Sequence, residues 1–171
     1  FNAQSWALID IANAVSGNNY MEFTIVPNSG YEFNVTTINI NFQRSSTGVR
    51  GLSLRSSIDS YTSNIDVEKI VADVTTIQTF SFNVAQSNSS SAVTYRFYGW
   101  SEATGGSGGF EGGGNDIVVN GSVTALTACS GSTVRYNGGW IGTPGLTTPV
   151  IIESSYDAGV FGSFQACSLT V

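Results

Sequence analysis

The sequence predicts an all-β fold: an antiparallel β-sandwich of jelly-roll or immunoglobulin-like type, followed by a short β appendage closed by a disulfide. Three observations carry this expectation. Apolar residues recur with period two in short runs. Gly, Asn, Ser and Pro separate those runs, and helical periodicity is scarce. With 171 residues, the chain is long enough for one domain with a buried core plus an appendage, and too short for two full-sized domains.

Taken in order, the segment from Trp6 to Val15 is apolar but interrupted by Asp10, and a turn or two of helix fits within Ser5 to Ala14, although Ile9 and Ile11 also fit a strand. It lacks the basic flank and cleavage pattern of a signal peptide, so the N-terminus reads as mature. Met21, Phe23 and Ile25 share one face of a strand from Tyr20 to Val26. Pro27 and the Asn28, Ser29, Gly30 that follow predict a turn, consistent with a hairpin to the next strand. From Tyr31 to Phe42 the parity changes: Tyr31, Phe33 and Val35 alternate, then Ile38, Ile40 and Phe42 alternate out of phase. A β-bulge near Thr36 and Thr37 would produce that switch. Further strands fall at Gly51 to Ser56, Gln78 to Val84, Val93 to Trp100 and Ile117 to Val123.

Domain organisation follows from the spacing. Strands up to Val123 suffice for a sandwich of roughly 120 residues, which places domain one at 1–125 and the appendage at 126–171, with the boundary near Ala125 to Ser132. Short apolar runs at Thr133 to Tyr136, Val150 to Glu153 and Phe164 to Val171 follow, separated by Gly and Pro. So small a piece must lean on another domain, module or molecule. Ala166 to Val171 is expected to present an unpaired edge unless a partner covers it. Cys129 and Cys167 are the whole thiol inventory. Outside any CxxC pattern, they read as a structural disulfide of an oxidising compartment, contributing about 3–4 kcal/mol.

Composition narrows the partners. Six basic residues against twelve acidic ones give a net charge of −6, which disfavours nucleic acid and anionic membrane surfaces. No run is long enough to insert in a membrane as a helix. Lys69 is the only lysine, whereas Ser, Thr, Asn and Gly abound, a composition that points to an extracellular or cell-surface location. The triplets at Asn34, Asn88 and Asn120 match the glycosylation sequon, a pattern expected by frequency in so Asn/Ser/Thr-rich a chain.

Arg44-Ser-Ser-Thr-Gly-Val-Arg50 and Leu52-Ser-Leu-Arg-Ser-Ser-Ile-Asp-Ser-Tyr61 are similar to a segment of β-sandwich modules in large secreted bacterial proteins. Tyr95-Arg-Phe-Tyr-Gly-Trp100 and Asn115-Asp-Ile-Val-Val-Asn-Gly-Ser-Val123 look like the closing strands of the same module. The tail, with Arg135-Tyr-Asn-Gly-Gly-Trp140, Gly142-Thr-Pro144 and Gly162-Ser-Phe-Gln-Ala-Cys-Ser-Leu-Thr-Val171, resembles the element that opens a repetitive β region in multidomain proteins of the type IX secretion route. The resemblance implies location and architecture, and no activity that transfers to a residue.

Chemistry is constrained by the absence of histidine, which removes Ser-His-Asp arrangements, histidine bases and His-rich zinc sites. Paired carboxylates of the glycosidase kind have candidates in Asp59, Asp66, Glu68, Asp73, Glu102, Glu111 and Asp116, each of which reads first as a solvated acid, so the expectation is no enzyme and no cofactor. Gly105 to Gly114 lacks the Lys-Ser or Lys-Thr of a phosphate loop and reads as a flexible loop, where Glu111, Asn115 and Asp116 are the candidate calcium oxygens. A glycan site needs exposed aromatic rings amid polar groups. Arg96, Tyr98 and Trp100 share a strand face opposite Tyr95 and Phe97, and Trp140 sits in a Gly-Gly-Trp turn. The competing reading places Trp100 over one end of the sandwich and Trp140 in the contact between the tail and the first domain. Arg44, Arg50 and Arg55 form either a basic stripe or pairs with Asp59 or Glu22. The two functions that survive are a structural or adhesive surface module, joined through β-edges to neighbouring copies or modules into a fibre, and a carbohydrate-binding module.

Overall fold

A computed structural model describes residues 2–4, 6–8, 10–126 and 129–171. The chain divides into two compact units, Phe1–Thr124 and Ala125–Val171. The anticipated boundary segment includes Thr127 and Ala128, which lie outside the described residues, as do Ser5 and Ile9 of the anticipated helical segment.

The first unit holds β1 (Asn2–Gln4), β2 (Ala7–Leu8), α1 (Ile11–Ser16), β3 (Tyr20–Ile25), β4 (Tyr31–Arg44), β5 (Val49–Ser56), β6 (Lys69–Ile70), β7 (Gln78–Ser89), β8 (Val93–Ser101), β9 (Ser107–Phe110) and β10 (Ile117–Ala125), whose last residue is the first of the second unit. One sheet runs β1-β9-β4-β10, with β7 on the other edge of β4; the second runs β2-β8-β5-β6, with β3 beside β8. Period-two apolar residues make this a sandwich. Phe33, Val35, Ile38, Ile40, Phe42, Phe82 and Phe110 face Met21, Val49, Leu52, Leu54, Val93, Tyr95 and Phe97 in a single buried core.

The parity switch of β4 is present: Phe33 and Val35 are buried, then Ile38, Ile40 and Phe42. Its pairing with β7 shifts register at Phe33/Val35 and Val35/Thr37, and β7 carries the extra residues. Ala85 there adopts φ 47°, the left-handed conformation a bulge residue takes at some cost.

Two expectations are corrected. The turn after Pro27 forms, with the Tyr31 N–H donating to the Asn28 carbonyl at 3.0 Å, but it does not close a hairpin. β3 pairs with β8 and β4 with β7, so the turn carries the chain from one sheet to the other. Nor is Gly105 to Gly114 a plain flexible loop, because Ser107–Phe110 is a strand between β1 and β4. A Cβ on Gly106 would lie 2.2 Å from the Thr47 carbonyl oxygen, and one on Gly108 2.7 Å from Phe42. These glycines permit close packing.

The second unit is built on β11 (Val134–Tyr136), β12 (Trp140–Ile141), β13 (Pro149–Ile152), α2 (Ala158–Phe161) and β14 (Ser168–Thr170). Its sheet runs β12-β11-β13-β14, antiparallel at β11 and β12 and parallel at β11/β13 and β13/β14. Parallel neighbours require crossovers, and α2 lies in the second of them. Cys129 and Cys167 are joined, and the Cys167 N–H donates to the Thr148 carbonyl just before β13.

Candidate functional site

The sequence-predicted ring face on β8 is present in outline, but its groups are engaged. Tyr98 is only 2% exposed, which corrects its reading as a sugar-stacking platform. Period two sends it to the outer face of the sheet as expected; there it joins Ile11 and Ala14, buried residues outside the main core, and α1 packs on β8 and β5. Asp10 caps that helix by accepting from the Asn13 N–H at 2.9 Å. The Tyr20 ring meets the Tyr98 ring edge-on at 5.4 Å.

Arg96 is held between two rings, 4.0 Å from the Tyr20 centroid and 3.8 Å from that of Tyr61, and donates to Glu22 at 2.9 Å. Burial opposes its charge, but the bond to Glu22 and its tyrosine neighbours outweigh that and raise its pKa further. Trp100 is half-buried, and its indole N–H donates to Glu68 Oε1 at 2.7 Å. A Cβ on Gly51 beneath them would lie 2.0 Å from Glu68 Oε1 and 2.3 Å from Trp100 Nε1, so a side chain there would push this pair apart. Three of the four predicted glycan residues thus fasten the outer layer of the first unit. The fourth, Trp140, belongs to the second.

The anticipated basic stripe is an ion cluster. The buried Arg44 side chain donates to Asp73 at 2.6 Å, to Glu102 at 3.0 Å and to the Ser46 carbonyl at 2.7 Å. Arg50 also pairs with Asp73 and Glu102. Arg55 donates to Asn64 and to the Tyr61 and Thr62 carbonyls, so neither Asp59 nor Glu22 is the partner of these arginines. Burial acts to raise the pKa of Asp59, but bonds from Thr62 and Ser63 prevail and lower it. In the candidate calcium loop, Asp116 Oδ1 is buried without a hydrogen-bond partner. Among the described residues, no three His, Cys, Asp or Glu groups converge as metal ligands.

The feature with the clearest capacity to act is the contrast between the two sides of the sandwich. On one side, the segment between β5 and β7 closes the gap between the sheets. Val71 is buried in the core, Ile65 packs on it, and the Ile65 N–H donates to the Leu54 carbonyl at 2.8 Å. Asp66 accepts from the Asn83 N–H of β7 at 2.8 Å and from Lys69 at 3.0 Å, while Lys69 lies 5.3 Å from the Phe82 ring centroid. The backbone bond from Asn83, the Lys69 bond and the bond from Val67 lower the pKa of Asp66 to about 2.

Among the described residues, no such segment of the first unit closes the other side. β10 runs antiparallel to β4, as the bonds from the Asn41 N–H to the Asp116 carbonyl and from the Ser122 N–H to Asn34 Oδ1 show. Gly121 lets it approach closely, because a Cβ there would lie 2.0 Å from the Asn34 carbonyl oxygen. Among the described residues, no strand pairs with the far edge of β10. Two adjoining depressions of about 270 Å³ each lie there. Ile25, Tyr31, Phe33, Val119 and Val123 supply their apolar walls. Sequence reasoning placed the exposed edge at Ala166 to Val171. β14 is an edge, but among the described residues the nine-residue β10 also lacks a partner on its far side, and its signal is a run without charge or proline.

The second unit gathers Tyr136, Trp140, Tyr156, Phe161 and Phe164. Trp140 lies 5.2 Å from Tyr136, 5.5 Å from Tyr156 and 4.9 Å from Phe164, centroid to centroid. A depression of about 500 Å³ opens on Trp140, Tyr156, Phe161 and Phe164 with Ser163 and Gln165. Neither a family model nor a curated protein sequence matches this chain.

Proposed function

We propose that the chain is a non-catalytic structural or adhesive module of a secreted or cell-surface bacterial protein, joined to its neighbours through β-edge contacts. The observation that carries this reading is the open side of the first unit. A long, uncharged edge strand borders an apolar groove there, and such edges add strands from partners. The bacterial surface origin rests on the resemblance of the segments 44–61, 95–123 and 135–171. The Cys129–Cys167 disulfide is compatible with an oxidising compartment, and no helix among the described residues is long and apolar enough to cross a membrane. A non-catalytic role is supported by the lack of histidine and by the engagement of Glu22, Asp66, Asp73 and Glu102 in ion pairs. The test is light scattering of the oxidised chain over a wide concentration range, with electron microscopy of large species. Defined oligomers or ordered polymers support the reading, and a persistent monomer overturns assembly by this chain.

A carbohydrate-binding role is the second reading, and the ring cluster around Trp140 favours it. Phe161 is 53% exposed beside Ser163 and Gln165, the combination of ring face and hydroxyl partners a pyranose needs. A glycan array probed with the parent chain and with Phe161→Ser tests it. Binding by the parent that is lost in the variant supports this role, and equal binding by both, or none by the parent, removes this site.

A further inference from the structure

We propose that β10 is a homotypic interface, in which the β10 strands of two copies pair antiparallel about a two-fold axis through Gly121 and continue one sheet across both molecules. This rests on the edge-contact reading above and names the partner.

The other long edge is managed against this outcome, whereas β10 is not. The free edge of β7 is kinked by its bulges and its Asn83 N–H is taken by Asp66. β6 is two residues long and carries Lys69. β3, across the groove, is short and is followed by Pro27. These are the devices that keep edges from pairing. β10 has none of them: Ile117-Val-Val-Asn-Gly-Ser-Val-Thr-Ala125 contains no charge and no proline.

Charge leaves this surface open to a second copy. The chain carries −6 overall, so two molecules repel, and that repulsion is least where they meet at a surface without charge. Among the described residues, those that line the groove, from Ile25 to Asn28, Tyr31, Phe33 to Val35, Val119 and Gly121 to Val123, carry no formal charge, and Glu32 of the same strand accepts from Asn88 of β7, on the opposite edge of β4 from β10.

Register makes the strand self-complementary. Opposed residues in an antiparallel pair share a face, so only even offsets keep the apolar face continuous. With Gly121 on the axis, Val119 of each copy faces Val123 of the other on the groove side. Asn120 then faces Ser122, and Val118 faces Thr124, on the outer side. Moving the axis to Asn120 or Ser122 breaks both valine pairs. In the favoured register Val123, 70% exposed in the single copy, and Val119, 38% exposed, form the β-branched cross-strand pairs that stabilise sheets. Such an isologous contact closes at two copies, and a longer assembly adds a second contact elsewhere.

The test uses the full oxidised chain, its Val123→Lys variant, and Leu146→Lys as a control at an equally exposed apolar residue of the second unit. Sedimentation gives the association constant, and hydrogen exchange followed by mass spectrometry reads the β10 amides at high and low concentration. The expected result is a dimer whose β10 amides exchange at least about tenfold more slowly when concentrated, with association lowered about tenfold or more by Val123→Lys and unchanged by Leu146→Lys. Association that survives Val123→Lys, with β10 unprotected, overturns the β10 interface and leaves the edge-contact reading standing. Protection of β10 that persists at the lowest concentration overturns it in favour of a segment of the same chain. A monomer with unprotected β10 at every concentration overturns both the interface and the reading beneath it.

Discussion

Asp66 should make the closed side of the sandwich acid-labile. Its carboxylate takes the Asn83 N–H of β7, the Lys69 ammonium and the Val67 N–H, and these bonds lower its pKa from 3.8 to about 2. A shift of that size corresponds to about 2.5 kcal/mol by linkage. The side chain is 20% exposed, and screening at the water boundary reduces this to about 1–1.5 kcal/mol. The folded protein binds the proton more weakly than the unfolded chain, so the contribution is complete above the unfolded value of 3.8 and is lost as pH falls toward 2. Asp66→Asn keeps an acceptor for Asn83 but has no charge to titrate. Urea denaturation of parent and variant at a series of pH values, followed by far-ultraviolet circular dichroism, should show a gap of about 1–1.5 kcal/mol at neutral pH that closes as pH approaches 2. Other acids, Asp59 among them, titrate in both proteins and cancel in the difference. A gap that stays constant through this range would refute the assignment of the acid-sensitive bond to Asp66.

Other perturbations follow from the same packing. Replacing Cys129 and Cys167 with Ser opens a loop of sequence separation 38, and chain entropy puts the loss at about 4 kcal/mol; hydrogen exchange should rise throughout Ala125–Val171 while the first unit keeps its protection. Gly106→Ala sets a methyl 2.2 Å from the Thr47 carbonyl oxygen, and because backbone must move, a urea midpoint shift equivalent to about 2–3 kcal/mol is expected. Arg44→Met trades ion pairs for relief of a buried charge whose acid partners are half-exposed and keep Arg50, so stability should change by about 1 kcal/mol or less. Arg44→Ala leaves a cavity as well and should cost about 3 kcal/mol or more; thermal denaturation of the pair distinguishes charge from volume.

Strands and core were legible because a half-buried strand must alternate, and the alternation of Met21, Phe23 and Ile25 or of Val93, Tyr95 and Phe97 survives any tertiary context. Even the parity switch in β4 could be read this way. What alternation does not encode is the partner. The turn at Pro27 has hairpin chemistry, yet local dihedrals do not say which sheet receives the next strand. Parity sends Tyr98 to the correct face but is silent about a helix laid over that face. In sequence, the glycines between Gly105 and Gly114 read as flexibility, whereas Gly106 and Gly108 are required by neighbours distant in sequence, Thr47 and Phe42. The open side is a property of two edges, β3 and β10, and becomes visible only once the sheets are assembled.

That open side also yields a stability prediction that separates a used edge from a neglected core. If Val123 waits for a second molecule, its side chain contributes little to the single copy, where it is 70% exposed. Val123→Lys should then alter the stability of the dilute chain by no more than about 0.5 kcal/mol, while abolishing association. The outcome that sinks the argument is a dilute-chain loss of about 1.5 kcal/mol or more, because a lysine would be so costly only where the chain itself buries that position. The same substitution places a gatekeeper on the groove face, as natural edges do with inward-pointing charges. A chain able to accept that charge without losing stability, yet carrying valine there, retains an apolar edge that stability alone does not require.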